Sequence, residues 1–382
     1  MTTQRRHQPG KLQHLLLLVS AVAGLLLLYS PVATSALSKS QALPLSLFAA
    51  CALLITATWF LWPNVLRGRS LTAGVLSAVV SFGGAWYLIA LLADTQVATG
   101  FWAGVVAAWA LGWFAVEQLA AVDTRRAALV WLLRILIPVA FGAWLLIIWE
   151  VVTRGLSVPQ VLLPSPSAIA ARFASSRAIL WADFQQTFLK AVLIGYVMGC
   201  GSGFIVALLI DRSDFLKRGL LPIGNLVSAL PVVGIAPIMV MWFGFDWPSK
   251  AAVVVVMTFF PMLVNTVAGL AASDSMQRDL MKTYAAGYWQ SLFKLRLPLA
   301  LPFIFNALKI NSTLALIGAI VAEFFGTPIV GMGFRISTEV GRMNVDMVWA
   351  EIAVAAVAGS LFYGLIGLVE RMLTFWHPSF RR

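Results

Sequence analysis

Apolar side chains in this chain come in nearly unbroken runs, joined by segments that carry the basic residues. A helix needs ~20 apolar residues to cross ~30 Å of hydrocarbon. The runs that reach this length lie near 13–31, 43–62, 72–93, 98–122, 129–152, 186–210, 219–243, 251–272, 300–325 and 348–370. They predict an all-α integral membrane protein with about ten transmembrane helices.

The connecting segments test that count independently. Arg5, Arg6 and Lys11 precede the first run, Arg67 and Arg69 follow the second, and Arg125 and Arg126 follow the fourth. Arg212, Lys217 and Arg218 come next, then Arg278, Lys282, Lys294 and Arg296, and finally Arg371, Arg381 and Arg382. Every second connection is therefore basic, whereas the alternate ones hold Lys39, no cation around Asp94, and Lys250. Arg154, Arg172, Arg177, Arg335 and Arg342 sit in longer loops, where the positive-inside rule weakens. Both termini are expected on the cytoplasmic side of a bacterial inner membrane. The basic start and the Ala33-Thr34-Ser35-Ala36 run resemble a signal peptide, but Leu15–Tyr29 also suits an uncleaved anchor, which keeps the later spans in phase.

Composition agrees with lipid as the solvent. Of 382 residues, 60% are apolar and only 11% are charged, too few charges to cover a water-facing surface. Lys and Arg number 27 against 15 Asp and Glu. No basic run is interleaved with aromatics, so this excess points to loop orientation and not to nucleic acid. Cys51 and Cys200 lie far apart in apolar stretches, and His7, His14 and His377 lie near the termini. No metal site, cofactor or catalytic centre follows from them.

The two halves differ in content. Residues 1–127 form four runs with short connections and no intramembrane charge beyond Glu117, as in a lipid-facing accessory bundle. From residue 128 onwards the loops lengthen and charges enter the runs. Such charges tend to face a bundle interior or a cavity. For Arg134, Glu150, Lys190, Glu351 and Glu370, snorkelling from a span end suffices. Lys309 and Glu323 share the ninth run and suit a polar interior or a helix pair. Ser165 and Pro166 are expected to open a short interfacial helix. Pro231, Gly234 and Pro237 should loosen the backbone of the seventh run, as a packing kink or as the lining of a translocation path.

The loop 273–298 is the most informative stretch. Asp274 with Gln277 forms a capping pair that opens a helix running past Asp279 toward Tyr284. Ala285, Ala286 and Gly287 follow as a small-residue patch, then Trp289, Leu292, Phe293 and Leu297 before Pro298. A short helix outside the bilayer with such a face needs lipid headgroups or another protein.

This loop resembles the signature of permeases that work with ABC ATPases: Glu-Ala-Ala, three residues, Gly, then a stretch ending in Leu-Pro. Alignment on Trp289 and Leu297-Pro298 puts Asp279 at the Glu, Leu280 and Met281 at the alanines, and Ala285 at the Gly. The runs Leu163–Ile169, Leu230-Pro231 to Trp242-Phe243-Gly244, Phe260-Pro261 and Ile320–Glu323 look like the nitrate/sulfonate/taurine branch. The resemblance covers about 128–378 and implies a type I ABC importer permease domain of six spans at 128–382, with 1–127 as an extra membrane region. It implies a separate dimeric ABC ATPase, a periplasmic substrate-binding protein and a second permease copy as partners. Asp279, Tyr284, Ala285, Ala286, Gly287, Trp289, Phe293 and Pro298 would couple to the ATPase, and Pro231, Gly234, Pro237, Lys309 and Glu323 would lie on the path. Without a GxxxxGK[ST] loop the chain itself is not expected to be an enzyme. Substrates of the branch include small anions, pyrimidine vitamin precursors and riboflavin, and Phe293–Lys309 looks closer to the pyrimidine-precursor members. The rival readings are an ion-coupled secondary transporter, which needs an acidic midplane relay, and a membrane enzyme, which needs a cluster of reactive groups.

Overall fold

The structure, a computed structural model, describes residues 11–33, 39–61, 70–93, 97–124, 126–213, 215–216, 218–220, 222–223, 231–326 and 329–376. Expectations that rest on residues 1–10, 34–38, 62–69, 94–96, 125, 217, 224–230 and 377–382 lie outside these. Among the described residues nine helices are long and apolar enough to span a membrane, and β structure is a bridge between Ala33 and Val97. The expected seventh span, 219–243, holds the helix Val232–Phe243, 12 residues, while 221 and 224–230 lie outside the described residues. Contacts divide the chain into two units, Met1–Ser167 and Ala168–Arg382.

The first unit holds α1 (Lys11–Tyr29), α2 (Lys39–Leu61), α3 (Ser70–Leu91), α4 (Thr99–Ala120) and α5 (Ala127–Gly155). Its centre is α4, against which α1 and α3 pack. Gly100, Gly104, Ala107, Ala108 and Gly112 are buried there, and such small side chains let helix backbones approach closely in lipid. Ser20 Oγ donates to Ala107 O at 3.3 Å and Ser81 Oγ to Ala108 O at 2.8 Å, tying α1 and α3 to adjacent carbonyls of α4. The buried Leu16, Leu17, Ala23 and Leu27 build α1 into this bundle. The unit ends later than the 127/128 division read from sequence because α5 packs on α3 and α4, burying Trp144 and Val151.

The second unit begins within α6 (Pro166–Ser175), which starts at the proline as the sequence predicts, and continues with α7 (Arg177–Phe184). A π-helical stretch, Gln185–Val192, leads into α8 (Leu193–Arg212); then come α9 (Val232–Phe243) and α10 (Trp247–Ala271). The expected amphipathic segment is α11 (Ser275–Thr283) and α12 (Tyr288–Ser291), and a second π-helical stretch, Leu292–Arg296, enters α13 (Leu297–Glu323). A short α14 (Met332–Gly341) precedes α15 (Val345–Leu373). The unit's centre is α10, packed on α8 and α13. Two helical stretches, Arg177–Arg212 and Tyr288–Glu323, each run 36 residues. At ~1.5 Å per residue each is ~54 Å long, so both project well beyond the hydrocarbon.

Candidate functional site

The segment between α10 and α13 is built from local signals. Gln277 Oε1 accepts from the Asp274 N–H at 3.2 Å, the half of the capping pair that starts α11. Its end is a Schellman turn: Ala285 N–H donates to Lys282 O at 2.8 Å and Ala286 N–H to Met281 O at 3.0 Å. Ala285 sits at the left-handed position of that turn with φ 51°. Glycine reaches such a φ without penalty, whereas a Cβ costs ~1–2 kcal/mol. This is the position that the sequence resemblance sets against the glycine of the permease signature. Gly287 is different. Its φ is −70° and a Cβ there would meet nothing within 4 Å, so nothing inside this chain requires its small size.

Of the other expected coupling residues, Tyr284, Trp289 and Phe293 are exposed, and Pro298 lies in the first turn of α13. Trp289 and Phe293 stack at 6.0 Å, and Arg212 lies over the Tyr288 and Trp289 rings. Asp279 pairs with Lys282 at 2.9 Å, both exposed, a contact worth little by itself. A cavity of about 350 Å³ opens beside Gly287, with Arg278, Lys282, Arg296 and Tyr288 in its lining. The segment thus presents aromatic rings and a basic notch.

Its root is a partly buried knot that sequence reasoning missed. Arg296 donates through Nη1 to Asp211 Oδ2 at 2.8 Å and through Nη2 to Oδ1, while its Nε donates to Leu270 O at 3.1 Å. Tyr288 Oη donates to the same Asp211 Oδ2 at 2.9 Å. Asp211 stands in the last turn of α8, where the helix dipole disfavours an acid. That mismatch is the signal available in the sequence, since an acid there needs a strong cationic partner.

The residues expected on a path separate. Pro231 precedes α9 in extended backbone, and helix runs from Val232 past Gly234 to Phe243 with Pro237, which lacks an N–H, inside it. Lys309 pairs with Glu370 of α15 at 2.8 Å, a helix pair of the kind expected for it. This also corrects the snorkelling reading of Glu370, which is buried. Glu150 is buried too: its carboxylate accepts from Ser167 N–H at 2.8 Å and Ser167 Oγ at 2.6 Å, at the start of α6.

Glu323 belongs to a polar hub at the far end of α13. Three successive backbone N–H groups at the start of α14 meet three side chains. Gly331 donates to Asp183 at 2.7 Å, Met332 to Thr187 at 2.8 Å and Gly333 to Glu323 at 2.7 Å. Thr187 Oγ1 donates to Glu323 at 2.7 Å, and Arg335 Nε to Asp183 at 2.8 Å. A Cβ on Gly331, whose φ is 141°, would lie 2.8 Å from the Glu323 carboxyl carbon. The free N–H groups of a helix start favour carboxylates, and here the chain supplies its own. Lys250, also buried, clamps two loops by donating to Phe245 O at 2.6 Å and to Gly326 O. Asp246 accepts from the Trp247 N–H, which holds its carboxyl below the usual range, helped by Gln186. Glu351, expected to snorkel, is instead fully buried beside Asp183 and Arg335. Among the described residues no group of three or more His, Cys, Asp or Glu is placed to hold a metal ion.

Comparison with known proteins fits this architecture. The family described as "Binding-protein-dependent transport system inner membrane component" matches residues 191–375. A Haemophilus influenzae protein described as "Probable ABC transporter permease protein" is 33% identical over 242 residues, 63% of this chain and 98% of that protein. The Riboflavin transport system permease protein RibX of Chloroflexus aurantiacus is 32% identical, over 62% of this chain and 88% of its own length. The Formylaminopyrimidine transport permease protein ThiX of Halalkalibacterium halodurans is 32% identical, over 63% and 96%. With its spanning helices and near-complete coverage of these relatives, the chain belongs to the binding-protein-dependent permeases, the membrane components of ABC importers.

Proposed function

We propose that the segment 274–298 is the cytoplasmic coupling segment of this permease and docks into a separate ATPase subunit. The observation that carries this reading is Gly287: a residue whose small size nothing in the chain requires, beside a basic notch and an exposed aromatic pair. An acidic side chain of the ATPase suits the notch, and Tyr284, Trp289 and Phe293 suit an apolar groove. With this segment cytoplasmic, the alternation of basic connections supports a cytoplasmic side for both termini as well. A second permease copy completes the path, a periplasmic binding protein delivers substrate, and residues 1–127 are accessory to a transmembrane domain at 128–382. The test is co-purification. The intact protein should capture an ATPase subunit from its own membranes, and Gly287→Arg should abolish capture while leaving thermal unfolding unchanged, since the new side chain starts in open space. Unchanged capture by that variant would refute the docking site.

For substrate, the reading favoured is an uncharged heteroaromatic compound, such as riboflavin or a pyrimidine precursor, over a small anion. The helix α9 carries no charged side chain, and the lysines of its two packing partners are engaged, Lys309 by Glu370 and Lys250 by carbonyls. An anion path needs a cation free to receive charge. Two relatives named for riboflavin and formylaminopyrimidine transport lend support. Proteoliposomes holding the permease with its ATPase and binding protein should accumulate radiolabelled riboflavin or formylaminopyrimidine in preference to taurine or nitrate. The reverse order would overturn the preference.

A further inference from the structure

The two 36-residue helical stretches run antiparallel and are tied to each other at both ends. Arg177–Arg212 carries Thr187 near its start and Asp211 near its end; Tyr288–Glu323 carries Tyr288 and Arg296 near its start and Glu323 as its last residue. At the hub, Thr187 donates to Glu323 at 2.7 Å. At the root of the coupling segment, Asp211 receives the fork of Arg296 and the hydroxyl of Tyr288. Between these ends, Tyr196 Oη donates to Leu308 O at 3.0 Å and Asn311 Nδ2 to Cys200 Sγ at 3.2 Å. The third donor of Arg296 reaches Leu270 O, so the end of α10 is held at the same point.

From this arrangement we infer that Asp211 and Arg296 are positioning residues for transport: they fasten the two long helices and α10 into one rigid body, which carries movement of the coupling segment to the opposite membrane face. The inference rests on the ATPase-docking reading above and deepens it. Three observations support it. Arg296 lines the notch but is largely buried, and its Nε, Nη1 and Nη2 each donate within the chain, so the exposed charge of the notch is that of Arg278 and Lys282. A planar fork holding a carboxylate at two points, with a carbonyl on the third donor, fixes orientation as well as distance. Tyr288 opens α12 itself, so the docking helix shares the acceptor that fixes the spans. Rocking of one packed body against another needs such a stiff link, because a loose joint at the root would absorb the motion.

The test uses the full-length permease with its ATPase in nanodiscs, in a Cys51→Ala background that retains the buried Cys200. The reporter is Val340→Cys, at an exposed position of α14, labelled with a membrane-impermeant maleimide, without nucleotide and after trapping with ATP and vanadate. The parent should show a several-fold change in labelling rate on trapping. Arg296→Lys and Asp211→Asn should still capture the ATPase but lose that change, and Tyr288→Phe, which removes a single donor, should reduce it partway. A merely structural role predicts proportionate loss of capture and thermal stability, with the change per captured ATPase intact, and that result overturns the inference. So does loss of capture by Arg296→Lys, or a parent that captures the ATPase but shows no change. A parent that captures no ATPase refutes the docking reading itself, so the two failures are distinguishable.

Discussion

Replacing Asp183 by Ala is expected to destabilise the second unit by about 3–5 kcal/mol, the cost of leaving one partner of a buried ion pair uncompensated. Asp183 is fully buried and accepts from the Gly331 N–H and from Arg335. Truncation therefore leaves a guanidinium and a helix-start N–H without their acceptor at once. Thermal unfolding of the purified protein should show a large drop, with a poor yield of monodisperse material. Asp183→Asn should cost less, since an amide oxygen still serves Gly331. Adding Arg335→Met to Asp183→Ala should recover part of the loss by removing the stranded charge. If Asp183→Ala unfolds with the parent, the hub does not hold α14, and the tie between the two long helices at that end loses its meaning.

The hub also marks where the sequence stopped being legible. Runs of apolar residues located the spans because length and hydropathy are local properties. The capping pair at Asp274 and Gln277 located α11 for the same reason, and the left-handed turn at Ala285 could be aligned although its glycine is gone. Snorkelling was the wrong account of Glu351 and Glu370 because the groups they meet are far away along the chain, and of Glu150 because Arg154 and Ser167, 4 and 17 residues on, meet it locally. Arg335 and Asp183 are separated by 152 residues, Lys309 and Glu370 by 61. The π-helical stretch at Gln185–Val192 adds to the difficulty, since its wider turn re-aims Gln186 and Thr187 off the faces that a 3.6 period gives them. Lys309 and Glu323 lie at different depths of one helix, and each meets its partner on another element, Lys309 in the helix pair expected for it and Glu323 in the hub. Family membership removes the ion-coupled alternative, which needs such buried acids as a relay.

Gly199→Ala and Gly201→Ala are expected to change stability in opposite directions although they stand two residues apart on α8. A Cβ at Gly199 would lie 2.0 Å from Thr258 Oγ1 and 2.9 Å from Val255 O on α10. Thr258 cannot yield readily, being fully buried, β-branched and bonded to Val254 O at 2.8 Å. The helices must move apart, at a cost of at least about 2 kcal/mol. A Cβ at Gly201 would meet nothing within 4 Å, so Ala there gains its intrinsic helical advantage of up to ~1 kcal/mol. Gly195 and Gly203 continue the same stripe against Val254 and Phe259 at four-residue spacing, which puts all three glycines on one face. Thermal unfolding of the two variants reads the sign directly. The separation forced by Gly199→Ala also draws Asp211, three turns further along α8, away from Leu270 at the end of α10. Arg296 cannot then span both acceptors, so ATP-driven accumulation should fall further than the stability loss explains. Equal stability of the two variants would mean that α8 and α10 do not approach this closely, and that the knot at their ends is not held shut by their packing.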